Sequence, residues 1–262
     1  MRALCRRRHR TGRRHRRGAR DPVWLFDLDN TLHDASAAAY GGINEGMTGY
    51  IERELDLSRT DADALRRRYW KRYGATLLGL MRHHAVTAAD FLHHVHLLPG
   101  LESRVRGAAD DIAALSRLPG RRYLLTNAPL AYALRVLRVL KLARHFDGVL
   151  AIEQLRMFGH WRPKPDARMA RALAQRLRVP PQRCVLVEDS LANLKSARKV
   201  GMQTVWMQRW LQPPRQVTHG DASAAAAQRL PAFRHEPAER LVRRPAYVRC
   251  RTQRLRHLQR LC

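Results

Sequence analysis

Five short apolar runs, with helical patterns between them, constrain the fold of this 262-residue chain more than any other feature. Residues 22–26 read PVWLF, and an uninterrupted apolar run of this length is typical of a parallel strand buried on both faces. Alternation of strands and helices predicts an α/β fold, a Rossmann-like doubly wound parallel sheet. The predicted strands are 22–26, 122–126, 148–152, 184–188 and 203–207, and the predicted helices are 128–142, 166–177 and 191–200.

A long stretch without a strand pattern lies between the first two predicted strands. It is too long for an ordinary crossover, so we expect residues 34–103 to form an inserted helical cap domain over the carboxyl edge of the sheet. Thr60 or Asp61 and Thr87 are the predicted helix N-caps in this stretch. The helices predicted in the cap are 43–55, 59–73, 77–84 and 88–95.

The remaining residues divide into a core and two basic ends. Residues 21–33 and 104–211 are predicted to form the Rossmann-like core, and residues 212–262 a loosely packed or disordered basic extension. Residues 1–20 contain ten Arg and no acidic residue, and such blocks of like charge are usually disordered.

The formal net charge of +28 has three possible explanations. Only five of the 50 basic residues are Lys, which favours a compositional bias over a nucleic-acid-binding arm or an upstream start codon. Nucleic acid is therefore retained only as an alternative partner.

Neither a disulfide framework nor a membrane segment is indicated. The four cysteines are scattered without a CxxC pair, and the N-terminus lacks the apolar segment of a signal peptide. No apolar stretch is long enough to span a membrane. We expect a cytoplasmic protein with no membrane partner, while its oligomeric state stays open.

Carboxylates follow two of the predicted strands at the point where each ends. Asp27 and Asp29 follow the first strand, and Glu188 and Asp189 end the fourth. The carboxyl ends of parallel strands meet at one edge of the sheet, where ligands bind. Carboxylates there suit Mg²⁺, and Lys164 would offset the charge of a phosphoryl group. Thr126 and Asn127, which follow the second strand, would position phosphate oxygens.

Four motifs carry a resemblance to a known superfamily. FDLDNTL, LLTNA, the lysine of RPKP and VEDSLANL stand in order at predicted strand ends. Together they resemble motifs I to IV of the haloacid dehalogenase-like hydrolases, over residues 22–207. The resemblance implies that Asp27 is a nucleophile forming an aspartyl-phosphate and that Asp29 is the general acid and base. It also implies that Mg²⁺ is held by Asp27, the Asp29 backbone carbonyl and Asp189, with Glu188 acting directly or through water, and that Thr126, Asn127 and Lys164 bind phosphate.

The cap and core sequences resemble one group of that superfamily more closely. RYWKRYGATLLGLMRHHAV and the C-terminal RPAYVRCRTQRLRHLQRL are similar to the pyrimidine 5′-nucleotidase group. This resemblance implies hydrolysis of nucleoside 5′-monophosphates, with pyrimidine nucleotides as candidate substrates. Phosphatases for a sugar phosphate or phosphoglycolate are the alternative.

Several residues keep two interpretations. Asn193 either orients the metal site or packs its helix, and the cap histidines at 83, 84, 93, 94 and 96 are favoured as surface and packing residues over zinc ligands. The side chains of Tyr69, Trp70, Tyr73 and Met81 either stack on a nucleobase or form the interior of the cap.

Overall fold

A six-stranded parallel sheet is the centre of the computed structural model, which describes residues 21–211 and 244–261. The strands are β1 (Val23–Phe26), β2 (Arg121–Leu125), β3 (Gly148–Leu150), β6 (Cys184–Glu188), β7 (Gln203–Met207) and β8 (Cys250–Thr252), and a separate hairpin contains β4 (Arg156–Met157) and β5 (His160–Trp161). The order of strands in the sheet is β3-β2-β1-β6-β7-β8. The chain runs outward on one side of β1 and then returns to add strands on the other side, which is the doubly wound topology predicted from the sequence.

The central strands are buried along their whole length, which explains their continuous apolar sequences. All four residues of β1 and all five of β6 are buried. Phe26 at the end of β1 lies beside Leu124 of β2 and Val187 of β6. The residues that follow these three strands are therefore brought to the same edge of the sheet.

Four α-helices of the described residues belong to the same unit as the sheet. They are α7 (Ala109–Leu115), α8 (Leu130–Val139), α9 (Ala167–Arg176) and α10 (Leu191–Lys199). The last three match the predicted helices to within a few residues, and α10 follows β6 directly. Burial of one apolar face explains each of them, as with Ala133, Val136 and Leu137 in α8.

The second unit is helical and contains residues 34–106. Its helices are α1 (Ala35–Ala38), α2 (Tyr40–Leu55), α3 (Arg59–Tyr73), α4 (Thr76–His83), α5 (Ala88–Val95) and α6 (Leu101–Arg104). Ser58, not the predicted Thr60 or Asp61, is the N-cap of α3, and its Oγ accepts a hydrogen bond from the Asp61 backbone N–H. The N-cap prediction was wrong because Thr60 and Asp61 lie inside the first turn of α3, which begins at Arg59. Thr87 is the N-cap of α5, as predicted.

The C-terminal segment corrects one prediction. Residues 246–261 are part of the sheet-containing unit, where β8 pairs in parallel with β7. Val248, Leu255 and Leu258 are buried, and the Leu255 backbone N–H donates to Asp111 Oδ1. The prediction of a loosely packed extension is therefore wrong for this segment. The rest of the predicted extension, residues 212–243, and the Arg-rich residues 1–20 lie outside the described residues.

Two smaller features complete the described chain. The antiparallel hairpin of β4 and β5 lies between β3 and α9 and was not predicted. Within residues 21–211 and 244–261, no helix combines the length and the apolar character that a membrane span requires.

Candidate active site

Three acidic side chains meet at the carboxyl end of the central strands. Asp27 follows β1 directly, Glu188 is the last residue of β6, and Asp189 is the next residue. One ligand oxygen from each lies within 4.8 Å of the others, and all three residues are buried. We call Asp27, Glu188 and Asp189 the acidic cluster. The parallel register brings them together, since the Asp27 backbone N–H donates to the carbonyl of Val187 on the neighbouring strand.

Lys164 supplies a buried positive charge to the cluster. Its Nζ donates to Asp27 Oδ1 at 2.6 Å and to Glu188 Oε2 at 2.7 Å. Lys164 lies in the loop that precedes α9. The helix begins at Ala167, with Asp166 as its N-cap. The loop before α9 therefore places Lys164 in contact with Asp27, which follows β1, and with Glu188 at the end of β6.

The charges of the cluster are unbalanced, because three carboxylates share one ammonium group. Burial, and then the charge of Glu188, raise the pKa of Asp27 to about 7, although Lys164 opposes the shift. Burial and the charge of Glu188 also raise the pKa of Asp189 well above its ordinary value. Burial likewise disfavours ionised Glu188, but Lys164 outweighs it and lowers the pKa of Glu188. The pKa of Lys164 is raised, because Asp27 and Glu188 outweigh the effect of its own burial.

The donor set fits a hard divalent cation. Asp189 Oδ2 is buried and has no hydrogen-bond partner among the described residues, which is costly for a carboxylate oxygen unless a ligand satisfies it. Both oxygens of Glu188 already accept hydrogen bonds, one from Lys164 and one from the Ser190 backbone N–H. The Asp189 backbone carbonyl accepts a bond from the Trp206 indole at 3.0 Å, which fixes this loop. Oxygen ligands of this kind suit Mg²⁺.

Thr126 and Asn127 lie beside the cluster but are already engaged. The Asn127 amide donates to the Lys164 carbonyl and accepts from the Lys164 backbone N–H, each at 2.9 Å. Thr126 is buried, and its Oγ1 accepts a bond from the Ala128 backbone N–H. Asn127 therefore anchors the lysine loop, and phosphate binding by the two side chains stays a prediction.

Asp29 is held by two residues that the sequence analysis missed. The Tyr132 hydroxyl donates to Asp29 Oδ1 at 2.7 Å, and His33 Nε2 lies 2.9 Å from the same oxygen. Burial and the charge of Asp29 raise the pKa of Tyr132, so this hydroxyl remains a donor. The spacing of four residues between Asp29 and His33 was a usable signal. Tyr132 is distant in sequence and gave none.

The remaining predicted residues have structural partners or positions of their own. Asn193 is partly buried on α10, where it lines a small cavity with Lys164 and Asp166. Its role in orienting the metal site stays a prediction. Tyr69 is largely buried in the helical unit, and its hydroxyl bonds to His84 Nε2. Across residues 21–211 and 244–261, the acidic cluster is the one group of three side chains placed to hold a metal ion.

The fold and the cluster together define an α/β protein with a buried group of carboxylates at the ends of its parallel strands. A family model described as haloacid dehalogenase-like hydrolase matches residues 23–201, which is more than half of the chain. The chain belongs to this family, and the resemblance noted in the sequence is confirmed at that level.

Individual relatives are more distant. The chain is 22% identical over 200 residues to Phosphate metabolism protein 8 of Saccharomyces cerevisiae, covering 69% of this chain and 59% of that protein. It is 35% identical over 88 residues to the fructose-1-phosphate phosphatase YqaB of Escherichia coli, covering 33% of this chain and 44% of that one. The chain thus spans about half the length of these relatives. The crystal structure of a HAD phosphatase from Thermococcus onnurineus shares the fold, with a TM-score of 0.56, 18% identity, and 92% and 97% of the two chains covered.

Proposed function

We propose that this protein is a Mg²⁺-dependent phosphatase that hydrolyses small phosphate monoesters through an aspartyl-phosphate on Asp27. The observation that carries the proposal is the acidic cluster itself, in which Lys164 pairs with Asp27 and Glu188 only, and Asp189 Oδ2 lacks a hydrogen-bond partner among the described residues. Folding alone gains little from such an arrangement, because buried charges lose more hydration than they recover from one another. A bound divalent cation would offset the excess negative charge of the three carboxylates.

In the proposed reaction, Asp27 and Asp29 have different roles. An Asp27 carboxylate oxygen attacks phosphorus, the ester P–O bond breaks, and Asp29 gives its proton to the departing alkoxide. Water then attacks the phosphorus of the aspartyl-phosphate while Asp29 takes a proton from it. Inorganic phosphate leaves, and the Asp27 carboxylate is restored.

Asp27 and Asp189 would hold the cation, together with the backbone carbonyl of Asp29. Glu188 would act through water, since its two oxygens are committed to Lys164 and to Ser190. When bound, Mg²⁺ supplies charge stabilisation to the phosphoryl oxygens. Lys164 would contribute a second positive charge and keep Asp27 oriented by its bond to Oδ1.

Nucleoside 5′-monophosphates are the proposed substrates, with pyrimidine nucleotides first among them. The sequence similarity to the pyrimidine 5′-nucleotidase group supports this choice. The second candidate is a sugar phosphate, which the similarity to the fructose-1-phosphate phosphatase YqaB supports.

The nucleic-acid-binding alternative depends on the Arg-rich residues 1–20, which lie outside the described residues. It predicts binding of RNA or DNA that weakens steeply with salt and is lost on deletion of those residues. The phosphatase proposal predicts that the same deletion leaves phosphate release unchanged.

Phosphate release from UMP, CMP, AMP, fructose 1-phosphate and phosphoglycolate tests the proposal. Wild type should release phosphate with Mg²⁺ and not with EDTA, and Asp27→Asn should be inactive under both conditions. Asp110→Asn, which removes an exposed carboxylate, is the matched control and should retain activity. Activity that survives EDTA or Asp27→Asn would contradict the mechanism, whereas activity on the sugar phosphate alone would contradict only the nucleotide preference.

A further inference from the structure

Two residues contact Asp29, the general acid and base of the proposed reaction. We call these residues, Tyr132 and His33, the anchors of Asp29. Tyr132 and His33 both contact the same oxygen, Oδ1, of the Asp29 carboxylate. Tyr132 and His33 are buried, whereas the side chain of Asp29 remains 16% exposed. The two anchors are thus shielded from solvent, whereas the carboxylate of Asp29 remains accessible to it.

The elements that carry the anchors are themselves fixed. Tyr132 lies in the first turn of α8, whose Leu130 backbone N–H donates to both carboxylate oxygens of Glu153 at 3.0 and 3.1 Å. His33 follows the tight turn after β1, in which the Leu32 backbone N–H donates to the Leu28 carbonyl. Neither anchor can move far without disturbing a helix or a turn.

Packing alone does not account for this choice of residues. His33 Nδ1 is buried with no hydrogen-bond partner among the described residues, so an apolar side chain would fill the same position without that penalty. When Asp29 is ionised, its carboxylate only accepts hydrogen bonds, so His33 Nε2 is the donor in that state. Tyr132 and His33 then both donate to Oδ1, which fixes the orientation of the carboxylate.

We propose that Tyr132 and His33 are positioning residues that fix the orientation of the Asp29 carboxylate through its Oδ1 oxygen. The inference rests on the proposed phosphatase function, since it concerns the proton that Asp29 gives to the leaving group and takes from water. Removal of one anchor leaves the Asp29 carboxylate less firmly oriented toward the leaving oxygen.

Leaving-group chemistry distinguishes this role from a purely structural one. p-Nitrophenolate departs without a proton, whereas the alcohols of UMP and fructose 1-phosphate need one. We expect Tyr132→Phe to lower kcat/KM for the alkyl esters about 10- to 100-fold and for p-nitrophenyl phosphate less than about 3-fold. Breakdown of the aspartyl-phosphate still needs Asp29 as a base, so the variant should release a rapid burst of about one equivalent of p-nitrophenolate.

His33 gives an independent pair of variants if Tyr132→Phe does not fold. His33→Gln retains a side-chain N–H donor and should keep more alkyl-ester activity than His33→Leu. Tyr123→Phe, on β2 of the same unit, is the matched control and should leave both kinds of ester unaffected. Thermal unfolding of each variant separates loss of fold from loss of positioning.

Two results would overturn different statements. If wild type hydrolyses the esters and the Tyr132 and His33 variants lose activity equally on p-nitrophenyl phosphate and on the alkyl esters, the positioning role is wrong and the phosphatase proposal stands. If wild type hydrolyses none of the three esters, the phosphatase proposal fails and the positioning role fails with it.

Discussion

Replacement of Asp27 by Asn should abolish activity and yet stabilise the metal-free protein. Asp27 is buried against Glu188, and these two effects raise its pKa from 3.8 to about 7 in spite of Lys164. The folded protein therefore holds a proton on Asp27 over a range of pH in which the unfolded chain has lost it. Asn keeps the shape of the side chain and an oxygen that accepts from Lys164, but it never becomes charged.

The size of the effect follows from the pKa values. A folded-state pKa above the unfolded value gives a stabilising contribution that is complete below pH 3.8 and is lost as the pH rises through about 7. One pKa unit corresponds to about 1.4 kcal/mol, so the wild type loses about 4 kcal/mol between these limits, of which about 3 kcal/mol falls between pH 5 and pH 8. The Asp27→Asn variant lacks this loss because an amide does not titrate.

Urea unfolding in EDTA measures the difference directly. The free energy of unfolding of Asp27→Asn should exceed that of wild type at pH 8, and the gap should shrink by about 3 kcal/mol at pH 5. Asp110→Asn removes one exposed carboxylate and should show no such change of gap with pH. A gap that is independent of pH, or a variant less stable than wild type at pH 8, would refute the claim that Asp27 is held in an unfavourable charge environment.

Three further predictions address the cation, the lysine and the C-terminal segment. Mg²⁺ binding, followed by calorimetry, should strengthen at least about tenfold from pH 6 to pH 8, because Asp27 and Asp189 must lose protons to become ligands and the pKa of Asp27 is about 7; an affinity independent of pH would argue against these ligands. Lys164→Gln leaves buried carboxylates without their counter-charge and should lower the free energy of unfolding by about 3–5 kcal/mol in urea titrations while abolishing phosphate release. Leu258→Ala should lower the free energy of unfolding by about 2–5 kcal/mol, because Leu258 is fully buried, whereas exposed Gln259→Ala should have little effect.

The parallel sheet could be predicted because its signal is local. Each central strand is an apolar run buried on both faces, as in Cys184–Glu188, and each following helix carries one apolar face. The C-terminal strand Cys250–Thr252 escaped prediction for the opposite reason. It is three residues long at the edge of the sheet, and its middle residue Arg251 is exposed, so no run or periodicity is visible.

In the candidate site, too, some neighbours could be predicted from the sequence and others could not. Asp27, Glu188 and Asp189 could be predicted as neighbours because each lies at the end of a strand, and strand ends in a parallel sheet coincide. The bonds between the Asn127 amide and the backbone of Lys164 were not predicted, and phosphate binding by Asn127 stays a prediction. Pairings of this kind depend on how two loops meet in space, and neither loop carries a sequence signal for them.

The charged residues of the site come from separate parts of the chain, so their charges meet only when the protein folds. Asp27 and Glu188 are 161 positions apart in sequence, and Lys164 joins them only when β1 and β6 are paired. In the unfolded chain these carboxylates are hydrated and do not repel one another, so the whole electrostatic penalty appears on folding. The buried apolar strands on either side must offset that penalty. Loss of apolar contacts at the sheet should therefore be tolerated less well by the metal-free protein than by the protein with Mg²⁺ bound, because the cation stabilises only the folded cluster.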